Sequence, residues 1–86
     1  MKIIWFDEAW EDYLYWQKQD KKTLSRINLL IKYISRDYFG GPGKPEPLKG
    51  EFSGFWSRRI DDKNRLIYRI KNSTLEILSC RGHYDD

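Results

Sequence analysis

Apolar residues recur along this chain at two periods, and the switch between them lays out the elements. Gly54-Phe55-Trp56-Ser57-Arg58-Arg59-Ile60 and Arg65-Leu66-Ile67-Tyr68-Arg69-Ile70 both alternate with period two. Trp56, Arg58 and Ile60 therefore share one face of a strand, as Leu66, Tyr68 and Ile70 do of the next. The polar link Asp61-Asp62-Lys63-Asn64 is rich in turn formers, so the pair reads as an antiparallel hairpin. Lys71-Asn72-Ser73 then predicts a tight turn into Thr74-Leu75-Glu76-Ile77-Leu78-Ser79-Cys80, the third strand of a meander. A further short strand, Lys2-Ile3-Ile4-Trp5-Phe6, opens the chain.

Between these strands the period becomes helical. Trp10, Tyr13, Leu14 and Gln17 predict an amphipathic helix ending near Gln19, with Asp7 as N-cap and Glu8, Glu11 and Asp12 near its positive end. Asp20 is placed to cap a second helix, whose stripe of Leu24, Ile27, Leu30, Ile31 and Ile34 runs to about Asp37. So short a link implies an antiparallel helical hairpin, and its apolar side needs a sheet to cover. The fold class that follows is α+β, with two N-terminal helices on a β-sheet. Trp10, Tyr13 and Trp16 are assigned to core and helix–sheet packing, which is what helical aromatics usually serve.

Length adds one constraint. A chain of 86 residues makes a single domain, 1–86, whose folding hides roughly 60% of the surface its unfolded form exposes. Charge adds more. The net charge is +3. Residues 43–71 hold eight Lys/Arg against four Asp/Glu, residues 1–42 seven against six, and residues 72–86 one against three. The excess of cations lies in the central loop and the hairpin. There Arg58, Arg59 and Arg65 stand among bulky aromatics, a mixture suited to a phosphate-bearing, stackable ligand. The lone cysteine, Cys80, excludes an internal disulfide and reads as a buried, inert thiol in a reducing compartment. No signal peptide or membrane-spanning run is visible, so the expected location is cytoplasmic.

The stretch Gly40-Gly41-Pro42-Gly43-Lys44-Pro45-Glu46-Pro47-Leu48-Lys49-Gly50 changes character again. It predicts a loop held stiff at Glu46, between two prolines that fix their own φ and extend the residues before them. The only histidine is His83, near the end of the chain. Its type alone has an unperturbed pKa, about 6.5, suited to proton transfer near neutrality. RNA cleavage without a metal needs a base for the 2′-OH proton, an acid for the leaving 5′-oxygen, and cations for the charge developing on phosphorus. Glu46 or His83 suits the base, His83 the acid, and Arg65 with Arg59 and Lys49 the cations. One histidine, one cysteine and scattered carboxylates form no metal-ligand pattern, and no glycine-rich phosphate loop or Ser-His-Asp set is present. No cofactor is expected. A non-catalytic RNA- or ribosome-binding module is the alternative from another class, and a protein-binding partner whose basic groove receives an acidic or amphipathic peptide is a third.

The residues Trp5, Trp10-Glu11-Asp12-Tyr13-Leu14-Tyr15-Trp16, Gly43-Lys44-Pro45-Glu46-Pro47-Leu48-Lys49, Ser53-Gly54-Phe55-Trp56-Ser57-Arg58-Arg59-Ile60, Arg65-Leu66-Ile67-Tyr68 and His83-Tyr84 closely resemble the Txe/YoeB toxins. These form a branch of the RelE-like superfamily of bacterial type II toxin–antitoxin systems, and the resemblance spans essentially the whole chain. It implies a microbial-ribonuclease-like fold with a twisted, mainly antiparallel sheet. It implies an endoribonuclease that enters the 30S A site of the ribosome and cleaves mRNA there. It also implies a cognate YefM-type antitoxin, and it leans towards a homodimer. In that resemblance Glu46 matches the general base, His83 the general acid and Arg65 the transition-state arginine. Lys49 and Arg59 match further phosphate-side cations, and Tyr84 the C-terminal aromatic. A gyrase-targeting toxin on the same scaffold is an alternative for which the His-Tyr end is unnecessary. The departures are Gly82, the added Asp85-Asp86, and the turn Asp61-Asp62-Lys63-Asn64, which is expected to stand clear of the catalytic groups.

Overall fold

The computed structural model describes residues 1–83. Its elements are β1 (Lys2–Trp5), α1 (Asp7–Gln19), α2 (Lys21–Arg36), β2 (Glu46–Pro47), a 3-10 turn (Gly50–Phe52), β3 (Trp56–Arg59), β4 (Arg65–Lys71) and β5 (Thr74–Ser79). The strands form one sheet in the order β1-β5-β4-β3-β2. β1 runs parallel to β5, and every other pairing is antiparallel. The α+β class and the mainly antiparallel sheet are as expected. The addition is β2, a two-residue edge strand inside the predicted proline loop.

One residue separates the helices. Asp20 adopts an extended conformation, its N–H bonds to the Trp16 carbonyl to close α1, and its carboxylate accepts from Lys22 N–H and Thr23 N–H to open α2. The Thr23 hydroxyl donates to the same carboxylate, and that bond, with the backbone ones, holds the Asp20 carboxyl below its ordinary value. α1 starts differently from the prediction. Phe6 occupies the N-cap position without a side-chain cap, and Asp7 lies inside the first turn with Glu8. Its charge therefore acts on the positive end of the helix dipole instead of capping a free N–H.

Ala9, Trp16, Ile27, Leu30 and Ile34 from the helices meet Ile60, Leu66, Tyr68, Leu75, Ile77 and Cys80 in the core. Each aliphatic side chain so buried contributes on the order of 1.5–3 kcal/mol. The predicted parity of the hairpin holds, since Ile60, Leu66 and Tyr68 all point to this core. Of the aromatic cluster, Trp16 is buried, whereas Trp10 is 45% exposed and stacks on Tyr13 at 5.9 Å beside Trp5. Trp16 is therefore core, while Trp10 packs helix against strand through Trp5 and stays half exposed.

Two backbone details decide where the chain ends up. Asn72 and Ser73 both have positive φ, the geometry of a two-residue hairpin turn. Further along, Tyr68 pairs with Ile77 but Ile67 with Ser79, so Leu78 is an extra residue in β5. Such a bulge bends its strand. Beyond it, the last described residues run past the start of β4.

Candidate active site on the open face of the sheet

Residues paired directly across a sheet share a face. Glu46 pairs with Ser57 and Ser57 with Ile67, while Arg59 pairs with Arg65. Alternation therefore sets Glu46, Ser57, Arg59, Arg65 and Ile67 on the face away from the helices. Arg59 and Arg65 stand about 5 Å apart at Cβ, an arrangement that costs stability for like charges. Glu46 lies one strand over and two residues along from Arg59, roughly 8 Å away. Glu46, Lys49, Arg59 and His83 are exposed and Arg65 is half-buried. Lys49 lies beyond Glu46 on the side away from the β3–β4 turn, so Glu46 stands between it and the two arginines.

Glu46 owes its place to Arg58. That guanidinium is fully buried, and it donates to the carbonyls of Pro42 (2.9 Å), Asp37 (3.0 Å) and Tyr38 (3.2 Å) and to the Tyr68 hydroxyl (3.1 Å). The Tyr68 hydroxyl in turn donates to Tyr38 O (2.8 Å), and burial raises its pKa above the ordinary 10.0. Arg58 thus braces the loop that follows α2, and the expectation that it binds phosphate is not met by its placement. The reason is parity. Arg58 points to the core side, where the turning loop leaves carbonyls that need buried donors. Gly43 (φ +91) completes the brace. A Cβ there would lie 3.0 Å from Leu30 Cδ2 and 3.1 Å from Arg58 Cβ, and its carbonyl accepts from Arg59 N–H. From that anchor Pro45 and Pro47 carry Glu46 along the sheet edge, where proline's missing N–H does no harm.

His83 reaches the same region by a separate route. Trp16 Nε1 donates to Cys80 O (2.8 Å), and Cys80 N–H donates to Asp12 Oδ2 (3.0 Å). The Arg81 guanidinium sits 3.6 Å from the centroid of the Tyr15 ring. α1 therefore holds the chain up to the threshold of His83. Burial, and after it the Asp12 carboxylate, push the Cys80 thiol up to about 12, so it is a protonated packing group as expected. Burial also raises Asp12, against the bond from Cys80.

The last attachment is to the β3–β4 turn. Arg65 N–H donates to Gly82 O (2.9 Å) and Gly82 N–H donates to Asn64 Oδ1 (2.8 Å). Arg65 Nη1 donates to the carbonyls of Asp61 (2.6 Å) and Asn64 (3.1 Å). The turn thus touches both Arg65 and the residue before His83, which overturns the expectation that it stands clear of the site. Sequence reading missed Asn64, Asp12 and Trp16 as holders of the tail, because nothing local marks a bond spanning 18, 68 or 64 residues. Tyr84 lies outside the described residues, as do Asp85 and Asp86. Among the described residues no group of three or more His, Cys, Asp and Glu is placed to hold a metal ion, and no helix is long and apolar enough to cross a membrane. A pocket lined by Lys22, Thr23, Arg26, Ile60 and Asp61 contains none of the expected site residues.

Two helices on a mixed five-stranded sheet are the RelE-like fold. YafQ from Escherichia coli shares the fold with a TM-score of 0.81 at 18% identity, over 95% of this chain and 92% of that one. Residues 5–84 match the YoeB-like toxin of bacterial type II toxin-antitoxin systems, and the chain belongs to that family. It is 55% identical to Toxin YoeB of Escherichia coli K12, over 98% of this chain and all of that one. A YoeB/ParE toxin from Agrobacterium tumefaciens superposes with a TM-score of 0.95 at 46% identity, over 98% of this chain and all of the other. The Staphylococcus aureus YoeB, solved as a heterotetramer with YefM and separately as a dimer, gives a TM-score of 0.91 at 42% identity over 98% of both chains. The protein is a toxin of a type II toxin–antitoxin system.

Proposed function

We propose that this toxin is a ribosome-dependent mRNA endoribonuclease that cuts message in the 30S A site and so stops translation. The observation that carries the reading is the bond from Arg65 N–H to Gly82 O. It ties the residue before the chain's one histidine to the backbone of Arg65, whose side chain shares a face with Glu46 and Arg59. In sheet order the Arg59–Arg65 pair lies between Glu46 on one flank and the C-terminal segment on the other. A base and an acid on opposite flanks of a cationic centre suit in-line displacement at phosphorus.

Glu46 takes the proton from the 2′-OH, and the 2′-oxygen bonds to phosphorus as the bond to the 5′-oxygen breaks. His83 gives its proton to that departing oxygen. The products are a 2′,3′-cyclic phosphate and a 5′-OH. Arg65, with Arg59 and Lys49, offsets the negative charge that grows on the non-bridging oxygens, and this contact strengthens in the transition state. Tyr84 joins the site on the strength of the family resemblance. A YefM-type antitoxin is the cognate partner, a homodimer is a second assembly, and the cytoplasm, where ribosomes translate, is the place of action. The two assemblies of the Staphylococcus aureus relative, with YefM and with itself, support those two partners.

Toeprinting of a defined mRNA on translating ribosomes tests the reading, with wild type and His83→Ala side by side. Cuts within the A-site codon by wild type alone, ending in a cyclic phosphate and a 5′-OH, are expected. Folded wild-type protein that binds ribosomes without cutting would instead make the open face a binding surface.

A further inference from the structure

Gly82, the residue immediately before His83, is bonded through both of its backbone polar groups to two consecutive residues. Its N–H goes to Asn64 Oδ1 and its carbonyl receives Arg65 N–H. It has φ +89, and a Cβ built on it would meet nothing within 4 Å among the described residues. After the anchors at Cys80 and Arg81, these two hydrogen bonds guide the chain into His83.

Asn64 can serve only in one orientation, and Asp61 imposes it. The Asp61 carboxylate accepts from Lys63 N–H (2.8 Å), Asn64 N–H (2.7 Å) and the Asn64 side-chain amide (3.1 Å to each oxygen). Since an ionised carboxylate only accepts, the amide must turn its NH2 to Asp61, which aims its carbonyl at Gly82. The same turn holds the Arg65 guanidinium through the Asp61 and Asn64 carbonyls. One four-residue turn thus sets both the cation and the path of the acid.

We propose that Asn64, oriented by Asp61, is a positioning residue that clasps the C-terminal segment and holds His83 in register with Arg65. The catalytic consequence rests on the nuclease reading above; the clasp itself rests on geometry alone. Asn64 acts through Gly82.

The test uses the full chain as wild type, Asn64→Ala, Asn64→Asp and the exchanged pair Asp61→Asn/Asn64→Asp. In Asn64→Asp two carboxylates face each other. In the exchanged pair the new amide at position 61 donates to the new carboxylate at position 64, whose other oxygen again accepts from Gly82. Amide hydrogen exchange at Gly82 and the nuclear Overhauser contact between the His83 ring and Arg65 report the clasp. Single-turnover cleavage at saturating ribosomes and ribosome affinity, read separately, report its use.

Asn64→Ala and Asn64→Asp are expected to lose Gly82 protection and the ring contact while melting as cooperatively as wild type. Their saturating rate should fall about 10- to 100-fold, the scale of a misplaced catalytic group, with affinity changed less than about twofold. The exchanged pair should regain protection and most of the rate. Unchanged Gly82 protection in Asn64→Ala overturns the clasp, and so does a folded exchanged pair that regains neither readout. Lost protection with an undiminished rate overturns the positioning role. Wild type that cuts nothing refutes the nuclease reading, and the exchange measurements then decide the clasp by themselves.

Discussion

Arg58 and Arg65 sit on neighbouring strands, and one step of parity separates a buried strut from a group on the open face. Sequence alternation already placed Arg58 with Trp56 and Ile60. It did not say that a loop would fold over that face and leave three carbonyls for the guanidinium. Burial then decides the use, because a buried guanidinium with all three nitrogens bonded to the protein is withheld from a ligand. Arg65 differs, since its Nη1 is held by two turn carbonyls while its side chain stays half-buried beside Arg59. Arg65→Ala should lower the single-turnover cleavage rate by about 10²–10³ and leave ribosome affinity within a few-fold, because its contact grows with the charge on phosphorus. A loss confined to affinity would remove Arg65 from the chemistry.

At the scale of elements, the loop after α2 depends on Arg58. Replacing it by leucine leaves the Pro42 and Asp37 carbonyls without their donor, since Tyr38 O keeps the bond from Tyr68, and should cost about 3 kcal/mol in urea unfolding. Arg58→Lys should recover little, since a point ammonium cannot reproduce the fork. A midpoint close to wild type for Arg58→Leu would mean the loop stands without its brace. The β3–β4 turn makes a pH prediction. Burial would raise the Asp61 carboxyl, but hydrogen bonds from the Asn64 amide and the backbone of Lys63 and Asn64, helped by Arg65, hold it below the ordinary 3.8. A depressed folded pKa gives stability that is present above the unfolded value and lost as pH falls through the folded one. Unfolding midpoints of wild type should therefore fall more steeply below pH 3.8 than those of Asp61→Asn. Parallel acid limbs would show that the turn's bonds do not favour the ionised carboxylate.

The whole molecule has two unlike sides. Helices and apolar strand residues close one face into a core, and the other face carries the paired Arg59 and Arg65. If Arg59 meets an RNA phosphate, ribosome affinity measured against salt should weaken, and Arg59→Ala should reduce the log–log slope by about 1. An unchanged slope would place Arg59 away from phosphate. Arg69 shares the open face by alternation yet is already engaged. It pairs with Glu76 and lies over the rings of Phe55 (4.9 Å) and Phe6 (5.8 Å). Charge counting along the chain does not make that distinction.

By itself the sequence determined what depends on local periodicity and turn chemistry. Both helices, the N-cap of the second at Asp20, the three-strand meander, its core-facing residues and the buried thiol of Cys80 were legible because 3.6- and 2-residue periods and capping preferences act over a few residues. The candidate groups Glu46, Arg65 and His83 were legible by chemical type, and more so by family resemblance. Tertiary structure decided their relations. The two-residue strand that carries Glu46, the loop closing over Arg58, the bulge at Leu78 and the bonds from Asp12, Trp16 and Asn64 to the C-terminal segment all join residues distant in the chain. Such contacts form only when packing has brought the elements together, so no window of sequence contains them.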